Sequence, residues 1–255
     1  MDDPGSPKQK RGAVLAAAAV LVLALGAAAF LWLRTPAPAP VPPPPPAPAP
    51  AQTPAPDAPL PAAEESDARV RRLFGPLSGK QLWTHWLAEA GLLERAAVLI
   101  DNLVEDVSPR KQLLFLAPRE PFAASSRGGK WFIDPRSYQR YDGIGEVAAS
   151  LDAQGFARGY RELHGLLETA YHALGYPDRL LDPVMTLALK RLAKAPVAEG
   201  EVELRKDGRI YRFADEKLEE QGPIEKHLLR MGPRNTRAIA AKAREIADAV
   251  GMPVQ

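Results

Sequence analysis

The sequence predicts a mainly α protein: an N-terminal transmembrane helix, a disordered Pro/Ala-rich linker, then a helical domain of about nine helices with one small β-hairpin. Three observations carry this. The run from Gly12 to Leu33 contains no charged residue. The segment after it alternates Pro with Ala. Beyond residue 63, apolar residues recur at helical spacing, and Asp-Pro and Gly-Pro pairs punctuate them.

The first run suits a bilayer. At about 1.5 Å per residue, roughly 20 residues cross the hydrocarbon core, and a helix bonds its own backbone there. Lys8, Lys10 and Arg11 precede the run and Arg34 follows it. The positive-inside rule then puts residues 1–11 in the cytoplasm as a basic tail. Residues 12–33 form the span, and Trp32 suits the far interface. An Ala27-x-Ala29 site also fits a cleaved signal peptide, but Phe30, Leu31, Trp32 and Leu33 continue the apolar run beyond it, which favours an uncleaved anchor. Residues 34–63 form the linker. Proline lacks an amide proton and fixes φ, so polyproline II is favoured, and Pro36 to Pro61 would reach roughly 80 Å when extended.

Residues 64–255 make one domain on the far side of the membrane. Lys/Arg and Asp/Glu are nearly balanced there, which gives no whole-domain field for nucleic acid. The chain has no cysteine, so disulfides, thiol catalysis and cysteine-ligated metals are excluded.

The elements follow in order. Ser66 or Asp67 caps a first helix that runs through Phe74. A second lies near Lys80–Glu89, with Leu82, Trp86 and Leu87 on one side. A third covers Leu92–Val107, striped by Leu93, Ala97, Ile100 and Val104. Residues 108–133 are irregular, with strand-like pieces at Leu113–Leu116 and Lys130–Ile133. Asp134-Pro135 starts a helix near 135–150. Another spans 153–174, ended by Gly175 and Pro177. Asp182-Pro183 starts a helix to about Ala193. Val202, Leu204, Ile210, Tyr211 and Phe213 flank the Lys206-Asp207-Gly208 turn of a hairpin. Asp215 caps a short helix, Pro223–Met231 is another, and Gly232-Pro233 turns into a last helix to Val250. No βαβ alternation is present, which excludes a parallel nucleotide-binding sheet.

Motifs for chemistry are sparse. G-x-S-x-G, H-E-x-x-H and calcium loops are absent, and Gly75 to Gly79-Lys80 is one residue short of a Walker loop. Ser108-Pro109-Arg110-Lys111 fits S-x-x-K but lacks the S-D-N and K-T-G partners. His164, Glu168 and His172 share a helix face. The outer two are about 12 Å apart along a helix, too far for one metal ion, so the stripe reads as an exposed face and no metal or cofactor is expected. Asp101 sits in an otherwise apolar helix and needs a partner or a raised pKa, with Arg140 or Arg230 as the expected partner. Lys226, Arg230, Arg234, Arg237, Lys242 and Arg244 make the C-terminal segment basic. Arg230, Arg234 and Asn235 flank a helix N-terminus able to take a carboxylate or phosphate. The alternative is internal pairing with Asp215, Glu216, Glu219 and Glu220.

Several segments together carry a resemblance. They are Ile100-Asp101-Asn102-Leu103, Asp134-Pro135 with Tyr138, Arg140, Tyr141 and Asp142, and Ala170-Tyr171 with Leu174, Gly175, Tyr176 and Pro177. Tyr211-x-Phe213-Ala214-Asp215 and Leu228-Leu229-Arg230-Met231-Gly232-Pro233 with Asn235 complete them. Over most of residues 66–250 the chain resembles a bacterial family catalogued as domain of unknown function 3014. The resemblance implies a single-pass membrane protein with a Pro-rich spacer, and it carries over no assigned activity.

The resulting expectation is a non-enzymatic domain in the bacterial periplasm, anchored in the inner membrane, that binds a protein or an anionic envelope polymer. The alternative is an enzyme acting on an envelope substrate through Asp101, Asn102, Arg140, Tyr141 and Arg230 drawn from separate helices. Convergence of those side chains on a pocket would discriminate the two.

Overall fold

A computed structural model describes residues 60–108, 111 and 117–254. The expected membrane span at 12–33, residues 34–59 of the expected linker and the piece Leu113–Leu116 lie outside the described residues, while Ala63, placed at the end of that linker, starts the first helix. No helix among the described residues is long and apolar enough to cross a membrane.

Helix α1 spans Ala63–Phe74, followed by a 3-10 turn at Gly75–Leu77, α2 at Gln81–Leu87 and α3 at Leu92–Val104. Strands β1 (Ala124–Arg127) and β2 (Lys130–Ile133) lead into α4 (Pro135–Gln139), α5 (Asp142–Ser150), α6 (Ala153–His172) and α7 (Leu181–Ala193). Strands β3 (Glu203–Asp207) and β4 (Ile210–Phe213) precede α8 (Glu216–Glu219), α9 (Pro223–Met231) and α10 (Pro233–Val250). The described residues thus hold ten α-helices and four strands.

The helical core follows from sequence periodicity. Leu93, Ala97 and Ile100 of α3 meet Leu163, Leu167 and Ala170 of α6, Val184 and Ala188 of α7, and Ala243 and Ala247 of α10. Alanine at these contacts lets helix axes approach closely. Helix α10 lies against α5, α6 and α7, while α3 lies against α6 and α7.

The expected hairpin is half of a larger sheet. All four strands join in the antiparallel order β1-β2-β3-β4. Trp131 pairs with Leu204 and Phe132 with Glu203 across the middle. Gly128 and Gly129, at φ 60° and 78°, make the β1–β2 turn, as a two-residue hairpin of positive φ requires. Ile133, Leu204 and Phe213 form the sheet's core together with Leu229 of α9.

Other boundaries differ for local reasons. The helix expected over 135–150 breaks at Arg140–Tyr141 into α4 and α5. Helix α1 begins at Ala63, before Ser66 and Asp67. The Asp67 carboxylate instead accepts from Gly91 N at 2.9 Å and Leu92 N at 2.7 Å, so it caps α3. Helix α3 ends at Val104, and helix α7 starts at Leu181, which places Asp182 in its first turn.

Candidate functional site

Two sharp corners set the geometry. At the first, the Asp134 side chain accepts from Arg136 N and starts α4 at Pro135. Helix α4 then ends in the turn that carries Arg140 and Tyr141. At the second, Gly232 has φ 86°, and a Cβ there would come within 2.5 Å of the Tyr138 ring. Only glycine fits both the backbone and the ring, so the α9–α10 corner closes on α4.

Asn235 is the pin of this closure. It is 2 % exposed, and Nδ2 donates to Met231 O at 2.9 Å, Asp142 Oδ1 at 3.1 Å and Tyr138 O at 3.2 Å. A Cβ at Gly145 would collide with Asn235 Oδ1. Arg234 donates to Asp142 Oδ2 at 3.3 Å. The carboxylate expected at the start of α10 therefore comes from the protein itself, from Asp142. Asn235 acts as an internal bridge, and Arg234 as an exposed ion-pair partner.

The rest of the basic segment divides in the same way. Lys226 bonds Glu219, Arg237 pairs with Glu199, Lys242 with Glu245, and Arg244 donates to Ala193 O. Among these, only Lys226 uses the acidic run just upstream.

Arg230 differs. Its guanidinium lies 4.9 Å over the Phe213 ring. No acceptor among the described residues takes a hydrogen bond from it, and no carboxylate forms an ion pair with it. Burial pushes its pKa below the ordinary guanidinium value, opposed by the charge of Glu219 and by Tyr141. Arg140 is sandwiched, 5.3 Å from the Tyr141 ring and 5.7 Å from the Phe122 ring. It donates through Nε to Ser137 O and through Nη1 to Glu120 O, and it too has no carboxylate partner among the described residues. Tyr141 stands beside both arginines and meets the edge of His227 at 5.8 Å.

Asp101 and Asn102 lie elsewhere. Asp101 accepts from the Tyr171 hydroxyl at 3.4 Å, and the expected partners Arg140 and Arg230 do not reach it. The nearby cation is Arg179, which donates to Glu105 at 2.9 Å and to the Tyr171 hydroxyl at 3.3 Å. Desolvation raises the Asp101 pKa, Glu105 raises it further, and Tyr171 and Arg179 oppose. Asn102 is 8 % exposed, and its Nδ2 is buried without a partner among the described residues.

The histidine face of α6 is a seam. His164 Nε2 meets Asp182 at 2.9 Å, Glu168 accepts from Leu181 N at 3.1 Å, and His172 bonds Arg179 O at 2.9 Å. The stripe read as an exposed face fastens the α6–α7 connection. An open cavity of about 380 Å³ beside it is lined by Tyr160, His164, Asp182 and Met252. A second, of about 430 Å³, lies between Leu103, Leu187, Lys190, Arg191 and Glu225. None of the seven residues singled out from sequence lines either cavity. The residues missed were Phe213 and Phe122, the ring faces under the two arginines. Nothing in local spacing ties either ring to its cation.

The profile of the family described as "Protein of unknown function (DUF3014)" matches residues 92–247, more than half of the chain. The chain belongs to that family. The DUF3014 span runs from the start of α3 into α10, so it takes in both arginine–tyrosine clusters, the sheet and the two corners. Neither the curated proteins nor the solved structures provide a match.

Proposed function

We propose that this DUF3014 protein is a non-enzymatic binding module of the bacterial envelope, anchored in the inner membrane and displayed in the periplasm. The carrying observation is the order of segments: a basic tail, 22 uncharged residues at 12–33, a Pro/Ala spacer, then a folded domain with its own core. That order has a physical meaning. The anchor fixes location, the spacer supplies reach of roughly 80 Å, and the domain supplies recognition. The dispersal of Asp101 and Asn102 away from Arg140, Tyr141 and Arg230 supports recognition over shared catalysis, because catalysis needs groups within hydrogen-bond reach of one reacting centre.

The absence of cysteine makes the test clean. Ser6→Cys and Lys217→Cys are made separately and treated in intact cells with a maleimide that crosses the outer membrane and not the inner one. The expected result is labelling at position 217 in intact cells and at position 6 only after lysis. The reverse pattern, or labelling of neither before lysis, overturns the placement. A photo-reactive residue at exposed His227 tests recognition: a discrete adduct to an envelope component is expected, and modification of water alone counts against binding through this face.

A further inference from the structure

Arg140 and Arg230, which have no carboxylate partner among the described residues, define a more specific chemistry at the α4–α9 junction. An arginine partly withdrawn from water without a counter-charge is less favourable in the free protein than a paired one. Most surface arginines of the domain avoid this by pairing: Arg127 with Glu201, Arg179 with Glu105, Arg191 with Glu225, Arg212 with Asp207 and Glu219. Arg230 does not. The carboxylate whose charge it feels, Glu219, already accepts from Phe213 N at 2.9 Å, Arg212 at 3.3 Å and Lys226 at 3.4 Å. Both of its oxygens already accept from other donors.

A third polar group, Tyr141, adjoins both arginines: Arg140 lies 5.3 Å from its ring, and its hydroxyl bears electrostatically on Arg230. Tyr141 is 8 % exposed, and its hydroxyl makes no hydrogen bond with any described residue. The hydroxyl oxygen keeps contact with solvent, which leaves it open to an incoming acceptor. The aromatic faces are meanwhile covered: Phe213 by Arg230, and Phe122 and Tyr141 by Arg140. What remains available is N–H and O–H donors, held in place by the rings behind them.

We propose that Arg230, Arg140 and the Tyr141 hydroxyl form a receptor for one oxyanion, a carboxylate or a phosphate carried by the domain's partner. This rests on the reading of the domain as a binding module, and it moves the anion site away from the start of α10, where Asp142 already sits. Guanidinium forks match both oxyanions through paired N–H donors. The Tyr141 hydroxyl adds a neutral donor that favours an oxyanion over a halide.

The test is calorimetric titration of the full chain in nonionic detergent with sodium phosphate and with sodium acetate, at ionic strength held constant with chloride. Saturable binding of at least one probe is expected. The tighter probe assigns the source: phosphate a phosphorylated polymer or lipid headgroup, acetate an acidic side chain or carboxylated polymer. Arg230→Gln weakens it about tenfold or more. Tyr141→Phe, which removes only a hydroxyl that no described residue bonds, weakens it about two- to tenfold. Absence of saturable binding overturns the proposal. So does wild-type affinity in Tyr141→Phe together with Arg230→Gln, or a loss confined to Arg234→Gln, which would return the site to α10. The titration is blind to membrane orientation, so its failure and a failure of the labelling test are separable.

Discussion

Arg179 and Arg230 are both set against aromatic rings, and their surroundings are opposite. Arg179 stands 4.8 Å over the Tyr176 ring and bonds Tyr171 and Glu105. Those bonds, the one to Tyr171 first, raise its pKa. Arg230 stands over Phe213 with no acceptor among the described residues, and burial lowers its pKa. The first cluster neutralises itself and so serves the fold, tying the turn after α6 back onto α3. The second leaves charge and donors unmatched, which the fold alone does not explain. An arginine on an aromatic face is thus ambiguous until its N–H groups are accounted for.

The largest way to break this contrast is at Tyr171. It is 0 % exposed and stacks on Tyr176 at 5.5 Å. Tyr171→Ala is expected to cost about 3–5 kcal/mol, the range for removing a buried aromatic, read as a shift in urea midpoint. A cost below about 1 kcal/mol would remove the anchoring role from the Arg179 cluster.

Next is the corner between α5 and α10. Gly145→Ala forces a methyl against Asn235 and is expected to cost about 1–3 kcal/mol. That loss sharpens the contrast by assigning Asn235 to the self-satisfied side. A neutral effect, also by urea unfolding, would mean that Asn235 can swing away from Asp142 and is free for a ligand. The two arginines themselves come third. Arg179→Gln lowers the midpoint because it strips Glu105 and the Tyr171 hydroxyl of a donor. Arg230→Met keeps the contact with Phe213, removes an unpaired charge, and is expected to stay within about 0.5 kcal/mol of wild type or above it. Equal losses at the two sites would erase the distinction between them.

The helical part of this architecture was readable because its information is local. Leu93, Ala97 and Ile100 announce the buried face of α3 within two turns, and Gly232-Pro233 announces its corner in two residues. The sheet was half hidden, because β1 is Ala-Ser-Ser-Arg, with no apolar alternation, and because β2 joins β3 across some seventy residues. Asp67 was assigned to its own helix although it caps α3, since a cap from a distant helix leaves no mark in the spacing. The site divided along the same line. Arg140 and Tyr141 are marked by the family resemblance and Arg230 by the basic run, and the structure sets Arg140 against Tyr141 with Arg230 on the helix that packs on α4. Asp101 and Asn235 stood out equally, yet their partners Tyr171, Asp142 and Met231 are supplied by packing. Which polar residue is satisfied is a property of the assembled fold.

The smallest expected effect probes the one strained member of the satisfied cluster. The Asp101 carboxyl faces Glu105, Tyr171, Tyr176 and Arg179, and burial followed by the Glu105 charge holds its pKa above the ordinary 3.8. The folded state then keeps this proton at a pH where the unfolded chain has released it. The stabilising contribution is therefore present in full below 3.8 and is lost as pH rises through the folded-state pKa. Asp101→Asn removes the ionisation while retaining an oxygen for the Tyr171 hydroxyl. Its urea midpoint should match wild type near about pH 3.5 and exceed it at neutral pH, with the gap opening as the wild-type carboxyl ionises. A constant gap across that range would mean that Asp101 titrates as it does in the unfolded chain. The Arg179 cluster would then hold its acid without cost, and its difference from the Arg230 cluster would lie wholly in the cations.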